Sequence, residues 1–246
     1  MAAVLIVSLG AAFTATASQA AAAKKKKPKP FHATCVKKRD HVTRIKFRAA
    51  DGVLIAGMFF GRGKTTVILG HQSDSTLCTW VPFARRLKRM GYQAFAIDFR
   101  GYGASSSRRG RLNEGADMAA AAKVARARGK TVILMGASLG GAAALVAAPQ
   151  LTPAPPVISL SGPGNFGSLN AIAAVHSASF PVLLAAASED SPFAEDAQTM
   201  YDAALTTDKK LQIVPGFDHG LLLLIPPSSA TILPLVDAFL ASHAAP

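Results

Sequence analysis

The sequence predicts an α/β fold, a mostly parallel central sheet with helices on both faces. Three observations carry that expectation. Short apolar runs alternate with longer helix-like segments through the second half of the chain, as a succession of βαβ units requires. Several of these runs end in polar or glycine-rich turns, the place where an open sheet gathers its reactive groups. The chain has 246 residues, 50% of them hydrophobic, which suffices for one large core without division into two. No internal repeat interrupts the pattern.

Taken in order, His41 to Ala49 and Val53 to Phe60 read as strands joined by Ala50-Asp51-Gly52, an Asp-Gly step that favours a tight hairpin. Thr65 to Gly70 is the next strand and leads into the polar stretch His71-Gln72-Ser73-Asp74-Ser75. Trp80, Phe83, Ala84, Leu87 and Met90 fall at helical spacing before Gly91. Tyr92 to Phe99 forms a strand, and the Ala-rich segment Leu112 to Arg128 forms a crossover helix that stops at Gly129. Thr131 to Met135 is a buried strand followed by a small-residue helix, Leu139 to Ala148. Strand Val157 to Leu160, a loop with a short helix to Ser179, strand Val182 to Ala187, helix Phe193 to Leu205, strand Leu211 to Val214 and a helix from about Ser229 to His243 complete the succession.

The N-terminus reads differently. Residues 1–23 carry no charged side chain, and Ala2 to Phe13 has the length of a signal-peptide apolar core, with small residues behind it for cleavage. No Lys or Arg precedes that core. The expectation is nevertheless a cleaved leader and a secreted or extracytoplasmic protein, because a spanning helix needs about 20 strongly apolar residues. Residues 24–34 then form a basic linker, with one folded domain expected over 35–246. The formal charge of +13 includes Lys24, Lys25, Lys26, Lys27 and Lys29. Such a run is first a solvated linker that would adhere weakly to anionic surfaces. Specific nucleic-acid binding is not expected, because the other basic residues are scattered and no recognition motif accompanies them. Cys35 and Cys78 leave two outcomes open, a disulfide or two separate thiols.

The chemistry centres on Gly136-Ala137-Ser138-Leu139-Gly140, a G-x-S-x-G sequence between the strand and helix just described. In such an elbow the serine is held on a sharp turn, with small residues two before and two after it so that strand and helix meet without collision. Ser138 then stands at a helix N-terminus, where the Leu139 amide favours negative charge on a reacting oxygen. Two later strand ends open into Ser188-Glu189-Asp190 and into Phe217-Asp218-His219-Gly220. Ser138, Asp190 and His219 therefore follow one another in the order nucleophile, acid, base.

Together with His71 after the third strand and the run Asp98-Phe99-Arg100-Gly101-Tyr102-Gly103-Ala104-Ser105 after the fourth, these residues make the chain resemble the α/β-hydrolases over about residues 42–243. The resemblance implies the α/β-hydrolase fold and assigns Asp190, over Glu189 and Asp196, as the acid. It also places the second oxyanion amide on Ser73, with Gln72 as the next choice, since the usual His-Gly is replaced here by His71-Gln72. His71 would order that loop and not act as the base. Only Ser161 to Phe180 separates the sixth strand from the next, so no large cap is expected, and the compact form resembles the dienelactone-hydrolase-like and small-esterase branches. The implied activity is hydrolysis of small or medium acyl esters, of small molecules or polymers, without metal or organic cofactor. Acyl transfer or peptide cleavage on the same residues, and a silent binding protein on the same scaffold, are the alternatives. Oligomeric state leaves no trace in the sequence.

Overall fold

The structure, a computed structural model, describes residues 31–106 and 112–246. The expected leader and residues 24–30 of the basic linker lie outside the described residues.

Strands β1 (Thr43–Arg48) and β2 (Leu54–Phe60) form the expected antiparallel hairpin, with Arg48 opposite Leu54. Strand β3 (Thr65–Gly70) is followed by helix α1 (Val81–Arg89), strand β4 (Gln93–Asp98) and helix α2 (Glu114–Arg126). Strand β5 (Thr131–Ala137) runs into helix α3 (Leu139–Ala147), and β6 (Val157–Leu160) follows. A miniature hairpin of β7 (Asn165–Phe166) and β8 (Leu169–Asn170) precedes α4 (Ala171–Ser177). Strand β9 (Val182–Ala187), α5 (Phe193–Ala203), β10 (Lys209–Val214) and α6 (Ser229–His243) end the chain.

Among the described residues the sheet has eight strands, in the order β1-β2-β4-β3-β5-β6-β9-β10. From β4 onward neighbours are parallel, and the antiparallel pairs are confined to the β1–β2–β4 edge. Crossover helices divide between the faces. Side chains of α2, α3, α4 and α5 fill one core, and those of α1 and α6 fill the other, around Trp80, Phe83, Leu87 and Phe239. Strands β3 and β4 are buried along their whole length, as a sheet covered on both sides demands. The 161–180 segment holds only the small hairpin and α4, so among the described residues no large cap domain stands over the sheet.

The element ends move for local reasons. Helix α2 starts at Glu114, two residues later than the apolar pattern suggests, because the Asn113 side chain accepts the Ala116 amide at 3.1 Å and caps it. Trp80 belongs to a 3₁₀ turn, Leu77–Trp80, ahead of α1. Cys35 and Cys78 are joined in a disulfide, Cα to Cα 5.7 Å, which ties the entry segment to this turn.

Candidate active site

The elbow geometry comes from what glycine permits. A β-carbon on Gly136 would run into the Gly140 carbonyl, and one on Gly140 into the carbonyl of Gly70 at the end of β3. With those two side chains absent, the helix turns back directly over the strand. Ser138 at the apex has φ 50° and ψ −119°, a left-handed conformation that a non-glycine residue adopts only when its surroundings impose it. Its amide is bonded to the Leu160 carbonyl of β6 at 2.8 Å, while its side chain is half-buried. The Leu139 amide lies in the first turn of α3, where no carbonyl of the helix can reach it.

Asp190 and His219 meet across the ends of β9 and β10. The two carboxylate oxygens lie 2.9 and 3.0 Å from Nδ1 of His219. Asp190 is 9% exposed, and its turn is fixed by its own carbonyl accepting the amides of Phe193 and Ala194. The imidazole is half-buried and lies against the Phe193 ring, centroids 4.4 Å apart. With Nδ1 donating to the carboxylate, Nε2 is left as the acceptor. The other acids nearby do different work: Glu189 is exposed, and Asp196 accepts the Gly164 amide at 2.9 Å.

The loop bearing His219 is seated against the elbow. Gly220, at φ 59°, donates its amide to Ser161 Oγ at 3.0 Å, and a β-carbon there would meet Gln72 Oε1 and the methyl of Ala137, the residue preceding Ser138. Ser161 itself is fully buried at the end of β6. Among the described residues the Ser138 hydroxyl makes no hydrogen bond, to His219 or otherwise. Hydrogen bonds of this kind commonly tighten only when substrate is bound.

The loop after β3 is organised by His71, which is fully buried. Its Nε2 accepts the Phe99 amide at 3.1 Å, so Nδ1 carries the proton and donates to the Gln72 carbonyl at 2.8 Å. Burial drives its pKa down to about 4, which keeps the ring neutral. Because the peptide unit is planar and trans, pinning the Gln72 carbonyl toward this ring turns the following amide, that of Ser73, away from it. The side chain of Gln72 reaches the other way and accepts the Leu221 amide at 3.4 Å, joining this loop to the one that carries His219.

Behind the loop, Asp98 accepts the amides of Leu77 and Ala104, both at 2.8 Å, and so couples the segment after β3 to the glycine-rich turn after β4. Ser105 closes that turn by donating to the Asp98 carbonyl and accepting the Ala56 amide. Arg100 is 4% exposed. It holds Asp117 of α2 at 2.6 Å and Asp51 of the β1–β2 turn at 2.7 Å. Burial works against its charge, but the hydrogen bonds to Asp117 and Asp51 outweigh it and raise its pKa further. Sequence patterns gave Gln72 and Ser161 no bracing role, because both act through contacts distant in the chain. Phe193 lies on the imidazole, whereas Phe166 and Phe217 are largely exposed. No group of three or more His, Cys, Asp or Glu side chains suited to a metal ion occurs among the described residues.

The comparisons agree with this architecture. A family model described as serine aminopeptidase, S33, matches residues 61–165, a span that includes the elbow and stops before Asp190. No curated protein matches the chain. Among solved structures, an esterase of Pyrococcus furiosus superposes with a TM-score of 0.72 at 17% identity, covering 88% of this chain and 99% of the other. A dienelactone hydrolase of Anabaena variabilis gives 0.67 at 20% identity, covering 82% and 97%. A monoacylglycerol lipase of Paleococcus ferrophilus gives 0.66 at 16% identity, covering 77% and 99%. At these identities the likeness is one of fold.

Proposed function

We propose that this chain, a member of the α/β-hydrolase family, is a serine hydrolase that cleaves carboxylic esters of small or medium acyl groups. The observation that carries the reading is the Asp190–His219 pair at 2.9 Å, on a loop packed against the residue preceding Ser138. A serine hydroxyl is a weak nucleophile at neutral pH and needs a base beside it. In this reading Ser138 Oγ attacks the ester carbonyl carbon while His219 Nε2 takes its proton, and Asp190 stabilises the imidazolium and fixes its tautomer without itself being protonated. Negative charge on the carbonyl oxygen is met by the amides of Leu139 and Ser73, each such donor worth roughly 3 kcal/mol in the barrier. The proton passes from His219 to the departing alcohol. Water, deprotonated by the same ring, then releases the acid and restores the serine.

The orientation of the Gln72–Ser73 peptide supports Ser73 over Gln72 as the second donor. The Cys35–Cys78 disulfide supports work outside a reducing cytosol, in keeping with an exported protein. Ester cleavage is favoured over peptide cleavage by the solved neighbours, which are named as an esterase, a dienelactone hydrolase and a lipase. The family description keeps peptide cleavage as the second reading. A panel of p-nitrophenyl esters of increasing chain length, run beside aminoacyl anilides, tests both. Turnover highest on short acyl esters and lost in Ser138→Ala is expected. Turnover confined to anilides would overturn the substrate assignment, and turnover surviving in Ser138→Ala would overturn the mechanism.

A further inference from the structure

The surface along α1 takes no part in the candidate active site. Helix α1 carries Arg85, Arg86, Lys88 and Arg89 along its C-terminal half, and the 3₁₀ turn Lys38–Asp40 sets exposed Lys37, Lys38 and Arg39 beside it. Both groups border one shallow depression, lined by Arg39, Asp40, Arg85, Lys88 and Arg89. The carboxylates here are already engaged: Asp40 receives two hydrogen bonds from Arg85 at 2.8 Å, and Asp237 is held by Arg86. Among the described residues Lys38, Arg39 and Arg89 enter no ion pair, so the face carries surplus positive charge.

At Arg89 this cationic face passes into an apolar one. Arg89 also lines a groove of about 260 Å³ formed with Phe83, Leu221, Leu224, Ile225 and Leu233. Ile225 and its neighbour Leu222 are 53% and 51% exposed. Both belong to the stretch that follows His219 in the chain, the 3₁₀ turn Gly220–Leu224 and the residue after it. Cations alone would hold any polyanion. Cations edged by exposed aliphatic side chains suit a surface that offers phosphate and hydrocarbon together, whereas a nucleic-acid backbone offers the leucines nothing.

We propose that the face running from Lys37 across α1 to Leu222 and Ile225 docks on an anionic phospholipid surface. Basic side chains meet the headgroup phosphates, and Leu222 and Ile225 enter the headgroup–acyl boundary. The docking does not rest on the hydrolase reading.

Co-sedimentation of the full chain with vesicles of phosphatidylcholine alone, or mixed with phosphatidylglycerol, tests this. Binding is expected only to the anionic vesicles and should weaken as salt rises. Arg39→Gln with Arg89→Gln should lower partition roughly 25-fold, about fivefold per cation removed. Leu222→Ser with Ile225→Ser should lower it about tenfold, and both pairs should leave turnover of a soluble ester unchanged. Ser138→Ala should bind vesicles as the native chain does, which separates failure of docking from failure of the hydrolase reading. Absence of binding to anionic vesicles, or binding indifferent to both pairs of substitutions, would overturn the proposal. So would retention on duplex DNA without vesicle binding.

Discussion

Two histidines mark the difference between a residue that holds the site and a residue that can react in it. His71 and His219 each follow a strand end on the same edge of the sheet, and each makes a short hydrogen bond through Nδ1. His71 is fully buried and spends its second nitrogen on the Phe99 amide. His219 is half-buried, is oriented by a carboxylate and keeps Nε2 uncommitted among the described residues. A saturated, neutral ring fixes a loop. A ring oriented on one side and unsatisfied on the other can accept a proton. The same contrast separates the Arg100–Asp117–Asp51 cluster, whose charges are spent on one another, from Asp190, whose charge serves a half-buried ring.

The largest effects should come from the reactive side of that contrast. Ser138→Ala and His219→Ala should each lower kcat/KM for a short ester by at least about 10⁴-fold, and Asp190→Asn by about the same factor through loss of the correct tautomer. Near-native turnover in Asp190→Asn would place the two carboxylate contacts outside the reaction. On the structural side, Arg100→Met leaves Asp117 buried without its partner and should cost about 3 to 5 kcal/mol in urea unfolding, with kcat of the folded fraction little changed. A large kcat loss at native stability would break the distinction between the two regions.

A third effect is set by pH. His71 has its folded pKa depressed to about 4, below the ordinary value of 6.5. Between those values the unfolded chain binds the proton that the folded one refuses. The stability is therefore fully present above pH 6.5 and is lost as pH falls toward 4, by about 3 kcal/mol in all. Urea midpoints measured across this range should show the decline, and His71→Gln should flatten it; an equal slope in both proteins would contradict the assignment. Smallest of the set, Gln72→Ala removes the bridge to Leu221 and should reduce kcat roughly two- to tenfold while leaving the unfolding midpoint in place. A KM change alone would assign the side chain to substrate contact.

How much of this was readable beforehand depended on range along the chain. The elbow is a local matter of five residues, and its glycines announce it. The alternation of strands and helices is equally local, and the sheet follows from it. Element ends moved by a residue or two where a side chain intervened, as Asn113 does at the start of helix α2. The choice among Glu189, Asp190 and Asp196 could be made only through family position, since their spacing to His219 says nothing about which carboxylate faces the ring. Gln72 was read through its backbone amide, whereas its side chain turns out to reach Leu221, 149 residues away. Ser161 had no signal beyond being a serine at a strand end. The cysteines were undecided because pairing depends on where two loops meet in space.

The most direct test of the central claim is covalent. A fluorophosphonate probe, followed by peptide mass mapping, should place one adduct on Ser138, and labelling should fall by orders of magnitude in His219→Ala while the fold is retained. An adduct on another serine, or labelling of Ser138 at an undiminished rate without His219, would contradict it.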